Sequence, residues 1–371
     1  MTRAPARVAI NFTSQGGAIH RRDALKIVLM PLVPIRTRAT PSVSTIIGTG
    51  SPGYSDAQVN NPYGVVIGRD GALWLCDLDN QRIRRLDLKT RRTTDVAGNG
   101  QRTYAGDGGP ATAGSLNMPH EIAFDARGHL YIAERDNHVV RKVDGRTGVM
   151  TTLAGTGVAG FSGDGGMASR AQLRQPHSIA LGPDGRLLIC DVGNHRIRAV
   201  DLSTGFIETI GGTGERLPTP DGAPLSGTPL NGPRTMVVDR DGTIYLALRE
   251  GNAIYRIAPD ARTLHHLAGT GEQGYSGDDG PARLARLAGP KGLALSGRGL
   301  YLADTENHVI RRVDLDRGII ITVLGTGVRG DGPETDPRQC RLARPHGLFA
   351  GTDGALYVSD SEAHRIRVLR P

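Results

Sequence analysis

Six prolines recur along the chain, and the residue after each of them carries a side chain that can do chemistry. The prolines follow one another at intervals of 57, 57, 57, 57 and 55 residues, a spacing constant enough to indicate an internal repeat. One equivalent position of the repeat is therefore occupied by three histidines, two cations and a tyrosine. These residues are Tyr63, His120, His177, Arg234, Lys291 and His346.

The three histidines are candidate ligands for a metal ion. Neutral imidazole is the most common metal ligand in proteins, and a catalytic zinc ion keeps three protein ligands and one open position. If the repeat brings His120, His177 and His346 together, we expect them to hold a divalent metal, zinc in the first place. A polar residue would also suit a hydrated surface at this position, so the spacing leaves both interpretations open.

Arg234 and Lys291 follow the fourth and fifth prolines and predict an anionic substrate. Two cations beside a metal dication repel one another unless an anion lies among them. We therefore expect a small carboxylate or phosphate to be bound by Arg234 and Lys291, with Arg249 close by. The metal would polarise a carbonyl or hydroxyl group and activate water, and Tyr63 would act as acid or base beside Arg234 and Lys291.

The fourth repeat departs from the others at the end of its second apolar segment. The other five repeats end this segment on an acid, at Asp77, Glu134, Asp191, Asp304 and Asp360. The fourth repeat has Leu248 there, followed by Arg249. Either this repeat lines a substrate site, or the change is drift in a single repeat.

Short β-strands are the elements that must position these residues. The first five repeats each contain four apolar runs and the sixth contains three, all bounded by Gly, Asp and Asn, a pattern typical of strands and not of helices. Four strands in each of six units predict an all-β, six-bladed β-propeller, which leaves only short, protected strand edges. The residue after each proline then enters the innermost strand of its blade, at the mouth of the central channel.

The two ends of the chain predict how the ring closes. The sixth repeat stops at Pro371 after its third strand, and residues 44–48 are similar to the fourth strand that it lacks. We expect this segment to complete blade 6, so that residues 43–371 form the propeller and residues 1–42 an N-terminal extension. In the extension, Arg21 and Arg22 precede a short apolar stretch, as in a twin-arginine export signal. This favours a periplasmic or secreted protein, with the cytoplasm as the alternative.

Residues 300–314, Leu-Tyr-Leu-Ala-Asp-Thr-Glu-Asn-His-Val-Ile-Arg-Arg-Val-Asp, and their five counterparts resemble the NHL repeat. The resemblance covers about 330 of the 371 residues and implies a six-bladed propeller. The Pro-His motifs at Pro119, Pro176 and Pro345 also resemble those of peptidyl-α-hydroxyglycine amidating lyase, whose histidines hold a catalytic zinc. That resemblance implies zinc ligation by the three histidines, although two of them lie here on adjacent blades and that family uses alternating blades.

Two further recurring features are predicted to be structural. His138, His195, His308 and His364 share one repeat position, so we expect them to pack or hydrogen-bond between strands. The Gly-Asp loops carry too few acids for calcium and suit tight turns.

Composition narrows the possible partners. The net charge is +8, but the arginines are spread through the repeats, which indicates an ion-paired surface more than a nucleic-acid patch. Aromatic residues make up only 4% of the chain and offer little stacking for bases.

Cys76 and Cys190 fit small buried positions, whereas Cys340 lies in a loop and has no assigned role. No apolar run is long enough to span a membrane, and we expect a monomer.

Three functions follow from these observations. The first is a metal-dependent lyase or hydrolase acting on a small anionic substrate at the channel mouth. The alternative is a non-catalytic NHL propeller that binds protein or RNA. A third is a metal-free propeller, similar to lactonases or isomerases, that uses the histidines as acid and base.

Overall fold

The computed structural model describes residues 40–259 and 262–371. These residues form six antiparallel sheets whose first strands contact one another in a closed cycle, which confirms the six-bladed β-propeller. The predicted export signal lies outside the described residues. In the described part of the chain, no helix is long and apolar enough to cross a membrane.

Blades 1 to 3 each run from the channel outwards in sequence order. Blade 1 contains β2 (Pro62–Ile67), β3 (Leu73–Asp77), β4 (Arg82–Leu86) and β5 (Thr93–Ala97). Blade 2 contains β6 (Pro119–Phe124), β7 (Leu130–Glu134), β8 (Val139–Val143) and β9 (Met150–Ala154). Blade 3 contains β11 (Pro176–Leu181), β12 (Arg186–Asp191), β13 (Arg196–Asp201) and β14 (Phe206–Gly211), with the short β10 (Gly166–Met167) added at its outer edge.

Blades 4 to 6 repeat this plan, and the last one is shared between the chain ends. Blade 4 contains β15 (Pro233–Val238), β16 (Ile244–Leu248), β17 (Ala253–Ile257) and β18 (Leu264–Ala268). Blade 5 contains β20 (Pro290–Ser296), β21 (Gly299–Asp304), β22 (Val309–Asp314) and β23 (Ile319–Leu324), with β19 (Gly280–Pro281) at its edge. Blade 6 contains β24 (Pro345–Ala350), β25 (Leu356–Asp360), β26 (Arg365–Arg370) and the N-terminal β1 (Ser42–Ile47). Short 3₁₀ helices lie in the loops at Leu78–Asn80, Ala168–Arg170, Val192–Asn194, Ala282–Leu284, Thr305–Asn307 and Ser361–Ala363.

The ring closes as the sequence predicts. β1 pairs antiparallel with β26, and Val43 lies opposite Leu369. The strand begins at Ser42 and ends at Ile47, close to the predicted segment 44–48. Ile46 and Ile47 pack with residues of blades 1 and 6, so the N-terminal strand also contributes to the core.

The core consists of six apolar clusters, one at each junction between neighbouring blades. A closed ring needs this arrangement, because each blade buries both of its faces only against its neighbours. Cys76 and Cys190 are fully buried in these clusters, as predicted. Cys340 is also a buried free thiol and packs between blades 5 and 6.

Five blades contain a buried ion pair between the acid that ends the second strand and an arginine of the third strand. The N–O distances lie between 2.8 and 3.6 Å, and the side chains of all ten residues are at most 3% exposed. The pairs are Arg84–Asp77, Arg141–Glu134, Arg198–Asp191, Arg311–Asp304 and Arg367–Asp360. In four blades the arginine also contacts an aspartate of the Gly-Asp loop, so the acid of these loops pairs with the buried arginine.

Blade 4 replaces both members of this pair together. Leu248 stands in the place of the acid, and Tyr255 stands in the place of the arginine, seven residues later, as in the other blades. Both side chains are buried in the cluster between blades 3 and 4. Apolar residues can substitute for a buried ion pair at little or no cost in stability. The joint exchange therefore explains the missing acid without a substrate, and of the two interpretations of Leu248 the structure favours drift.

Candidate functional site

The residues that follow the anchor prolines are positioned by backbone interactions between neighbouring blades. The residue before each proline has a left-handed backbone, with φ between 49° and 75°, at Asn61, Met118, Gln175, Gly232, Gly289 and Arg344. The N–H groups of Asn61, Gln175 and Arg344 donate to the Nδ1 atoms of His364, His138 and His308 on the preceding blade, at 3.1 to 3.2 Å. His138, His308 and His364 therefore anchor the start of the inner strands, which confirms their predicted structural role. The Nδ1 atom of the fourth recurring histidine, His195, has no hydrogen-bond partner within the described residues.

A β-bulge then directs the next side chain into the channel. In blade 2, Pro119 lies opposite Glu134 and Glu121 lies opposite Ala133, so His120 is the extra residue. The same irregularity follows the anchor proline in all six blades. Because a bulge changes the direction of a side chain, two successive residues can face the channel where a regular strand would present only one.

All six residues predicted from the repeat come together at the channel mouth, and we call them the mouth ring: Tyr63, His120, His177, Arg234, Lys291 and His346. The Tyr63 ring stacks on His346 with centroids 4.1 Å apart and meets the edge of His120 at 4.5 Å. The rings of His120 and His177 are also 4.5 Å apart, and His346 Nε2 lies 3.5 Å from the Lys291 ammonium. Apart from the partly buried Tyr63, each member is at most 8% exposed.

The three histidines of the mouth ring do not fit a three-histidine zinc site as they are placed. Tyr63 separates His346 from His120, and the Lys291 ammonium faces the Nε2 atom that a metal would use. Within residues 40–259 and 262–371, no three His, Cys, Asp or Glu side chains are grouped so that they could hold a metal ion. The zinc ion stays a prediction from the sequence.

Burial determines the charge state of these imidazoles. It lowers the pKa of His120, His177 and His346 well below the usual value, and neighbouring cations, Arg234 among them, lower it further. All three side chains are therefore neutral at pH 7. In the part of the chain that the structure describes, both ring nitrogens of the buried His120 lack a hydrogen-bond partner. Unpartnered buried nitrogens are costly, which indicates that a ligand or water completes the site.

Lys291 has an acidic partner of its own. Its ammonium lies 2.6 Å from a carboxylate oxygen of Glu306, which also accepts hydrogen bonds from Arg344 at 2.7 and 2.9 Å. Burial lowers the pKa of Lys291 to about 8, against the opposing effect of Glu306. Burial acts to raise the pKa of Glu306, but the hydrogen bonds from Arg344 and Lys291 hold it at about 2. Lys291 can thus exchange a proton near neutral pH, while Glu306 remains an anion.

Arg234 differs from every other strongly buried arginine. It is 5% exposed, yet no ion pair or hydrogen bond within the described residues engages its guanidinium. Burial lowers its pKa, and Arg249 lowers it further, whereas Tyr63 and Glu121 act in the opposite direction. Arg249, the other predicted substrate ligand, is 44% exposed at the rim and lies 3.4 Å from Glu250.

Tyr63 completes the polar groups of the ring. Burial raises the pKa of its phenol, although Arg234 and other cations oppose this effect. The hydroxyl group is therefore protonated at neutral pH and is a hydrogen-bond donor.

Glu121 was not among the residues predicted from the sequence. It follows His120 in β6 and lines a cavity of about 270 Å³ in the channel beneath the mouth ring, together with Thr235 and Gly292. Burial raises the pKa of its carboxyl group to about 7, against the effect of Arg234. Regular strand alternation would point this side chain away from the channel, and only the bulge reverses that expectation.

Comparisons with known proteins agree with the repeat architecture. The sequence model of the NHL repeat matches residues 173–199 and 342–369. The chain is 30% identical over 307 residues to Protein SUPPRESSOR OF QUENCHING 1, chloroplastic, from Arabidopsis thaliana, covering 78% of this chain and 28% of that protein. It is 25% identical over 331 residues to human NHL repeat-containing protein 2, covering 79% and 45%. The chain thus spans less than half the length of either relative.

Solved structures share the fold at low sequence identity. A structural genomics protein of unknown function from Bacteroides thetaiotaomicron superimposes with a TM-score of 0.66 and 18% identity, over 89% of this chain and 76% of that chain. Virginiamycin B lyase from Staphylococcus aureus gives 0.53 and 15%, over 90% and 99%. At these identities the likeness concerns the fold alone. The chain is a six-bladed β-propeller that carries NHL repeats and is homologous to NHL-repeat proteins.

Proposed function

We propose that the mouth ring binds a small anionic molecule and that the protein acts on it as a lyase or hydrolase. The observation that carries this proposal is the Arg234 guanidinium, which is buried and has no acidic partner among the residues that the structure describes. Each of the five buried arginines of the blades contacts a buried acid, so this chain elsewhere compensates such charges. An uncompensated buried charge costs about 3–5 kcal/mol, and a bound anion would offset this cost.

The other cations near the mouth indicate how much negative charge the ligand carries. Lys291 is paired with Glu306, Arg249 with Glu250, and Arg135 with Asp136. One uncompensated guanidinium therefore suits one carboxylate, and a fully ionised phosphate would bring more charge than the site balances. The sequence predicts that Arg234 and Lys291 both bind the anion. We infer instead one strong contact from the anion to Arg234, with Lys291 close by.

The groups around this contact are suited to proton transfer. Lys291, with a pKa of about 8, can donate or accept a proton near neutral pH. The Tyr63 phenol is a donor, and the neutral imidazoles of His120 and His346 offer acceptors without any change of charge. A lyase or hydrolase that acts on a carboxylate-bearing substrate needs this combination of acid, base and charge contact.

A second candidate function is protein binding on the face that carries the channel mouth. Four loops there expose aromatic side chains that are between 40 and 50% exposed: Tyr54, Tyr104, Phe161 and Tyr275. Each of them also covers an arginine of its blade through a cation–π contact, so shielding of the buried ion pairs already accounts for them. The anion site is therefore the better-supported function.

Calorimetric titration with short carboxylates tests the proposal. We expect wild-type protein to bind acetate, and Arg234→Gln to lower the affinity by about tenfold or more, because a charge-assisted hydrogen bond contributes about 1.5–3 kcal/mol. Arg135→Gln is the matched control, since that mouth cation already has an acidic partner. Equal losses in both variants would contradict a specific role for Arg234. Metal analysis of the same samples tests the zinc prediction.

A further inference from the structure

A second layer of residues lies directly beneath the mouth ring. It consists of the residues two positions after each anchor proline, and we call it the inner tier: Gly64, Glu121, Ser178, Thr235, Gly292 and Gly347. Three of its six members are glycine, so half of the tier has no side chain. Ser178 and Thr235 contact each other through their hydroxyl groups at 3.3 Å, and Glu121 is the only acid of the tier.

The glycines leave room that the Glu121 side chain occupies. A Cβ atom at Gly64 would lie 2.9 Å from the Glu121 Oε1 atom and 2.9 Å from its Cα. Cβ atoms at Gly292 and Gly347 would lie 1.9 and 2.1 Å from the carbonyl oxygens of His346 and Tyr63. The inner tier therefore cannot carry side chains at these blades, and a cavity of about 270 Å³ opens on the channel side of Glu121.

Glu121 lies in the tier directly beneath the mouth ring, and it lines the cavity together with Thr235, the residue that follows Arg234. Glu121 and Arg234 each act on the pKa of the other, yet no ion pair or hydrogen bond joins them in the described structure. Glu121 also has no hydrogen bond from any other described side chain. Cys76 and Cys190, the nearby ionisable groups, are buried thiols whose pKa is raised, so they are neutral. Within the described residues, the Glu121 carboxyl group thus has a backbone hydrogen bond from Ile122 but no cationic partner, and Arg234 has no acidic partner.

We propose that the ligand bridges these two groups and is therefore a small zwitterion, with a carboxylate on Arg234 and an ammonium or N–H group on Glu121. This inference rests on the proposed anion site and adds its substrate class, an amino acid or a similar amino-carboxylate. A ligand with both charges compensates the buried Arg234 and the partly buried Glu121 at once. A simple anion would leave the carboxyl group of Glu121 without a cationic partner and would favour its protonation.

Titration with matched small probes tests this inference. Wild-type protein should bind at least one of glycine, β-alanine and 4-aminobutyrate about tenfold more tightly than acetate, while ethylamine binds weakly. Glu121→Gln should remove this preference and leave the acetate affinity unchanged or higher. Asp136→Asn is the control, because this rim acid is already paired with Arg135 and its loss should leave the preference intact.

The possible outcomes separate the two proposals. Acetate binding that depends on Arg234, without a preference for the amino-carboxylates, would overturn the zwitterion and leave the anion site standing. A preference that persists in Glu121→Gln would likewise overturn the role of Glu121. If wild-type protein binds neither class of probe, both proposals are wrong. The comparison of probes on wild-type protein needs no variant, so poor folding of Glu121→Gln cannot obscure the result.

Discussion

Arg234 and Arg198 are both strongly buried arginines, yet the structure predicts opposite effects when each is replaced by methionine. Arg198 is fully buried and contacts Asp191 at 3.5 Å and Asp164 at 2.7 Å. Its replacement leaves the Asp191 carboxyl group buried without its cation, which should cost about 3–5 kcal/mol in unfolding free energy. Arg234 leaves no acidic partner behind, so Arg234→Met should instead stabilise the ligand-free protein.

The expected gain for Arg234→Met is about 1–4 kcal/mol, the range found when buried ionic groups are replaced by apolar ones. For a chain of this length, a change of 1 kcal/mol moves the melting temperature by roughly 2 °C, so the gain corresponds to about 2–8 °C. Thermal unfolding followed by circular dichroism, in a buffer without carboxylates, measures both variants against wild type. A melting temperature of Arg234→Met that falls as far as that of Arg198→Met would refute the reasoning, since Arg234 would then have a compensating partner inside the fold.

Three further predictions concern the buried ion pairs of the blades, the closure of the ring and the mouth ring. Asp304→Leu should lower the free energy of unfolding by about 3–5 kcal/mol, because Arg311 loses its buried partner. The double variant Asp304→Leu with Arg311→Tyr copies blade 4 and should recover most of this loss in urea unfolding. Equal stability of the single and double variants would contradict the explanation of Leu248 and Tyr255. Ile47→Ala should cost about 2–4 kcal/mol, since β1 contributes this buried side chain to the junction of blades 6 and 1, and a change below about 0.5 kcal/mol would show that β1 does not close the ring. The pKa of Lys291 is lowered to about 8 in the folded protein, so the protonated side chain destabilises the fold at pH 7. This cost falls as the pH rises from 8 towards 10.5, the pKa of lysine in the unfolded chain. NMR of ¹³C-labelled lysine should show one side chain that titrates near pH 8 and is absent in Lys291→Met.

The sequence was sufficient for the architecture because the repeat is strongly periodic. The anchor prolines alone located the inner strands, and the residue after each proline was correctly placed in one ring at the channel mouth. The similarity of residues 44–48 to the other fourth strands also identified the closure, which the pairing of β1 with β26 confirms.

The remaining features depend on three-dimensional details that periodicity does not encode. Strand alternation would exclude Glu121 from the channel, and the bulge after Pro119 is what brings it in. The pairing of Lys291 with Glu306 depends on the fold of the loop after β21, so the repeat pattern alone does not predict it. The order of residues around the ring decides which imidazoles meet, and that order places Tyr63 between His120 and His346.

The exchange in blade 4 also depends on a contact between two strands. Leu248 alone is compatible with a substrate site and with drift in a single repeat. Tyr255 supplies the explanation, since its hydroxyl group donates to the Thr219 carbonyl oxygen and its ring fills the space that arginine occupies in the other blades. A change at one repeat position is informative only when the residues that contact it are compared as well.

Crystals of the wild-type protein grown or soaked in bromide would show whether the Arg234 guanidinium binds an anion. Bromide is a small monoanion whose anomalous scattering identifies it without ambiguity. We expect an anomalous peak in contact with the Arg234 guanidinium inside the channel mouth. A mouth without such a peak, in crystals that show bromide at arginines elsewhere on the protein, would contradict the proposed anion site.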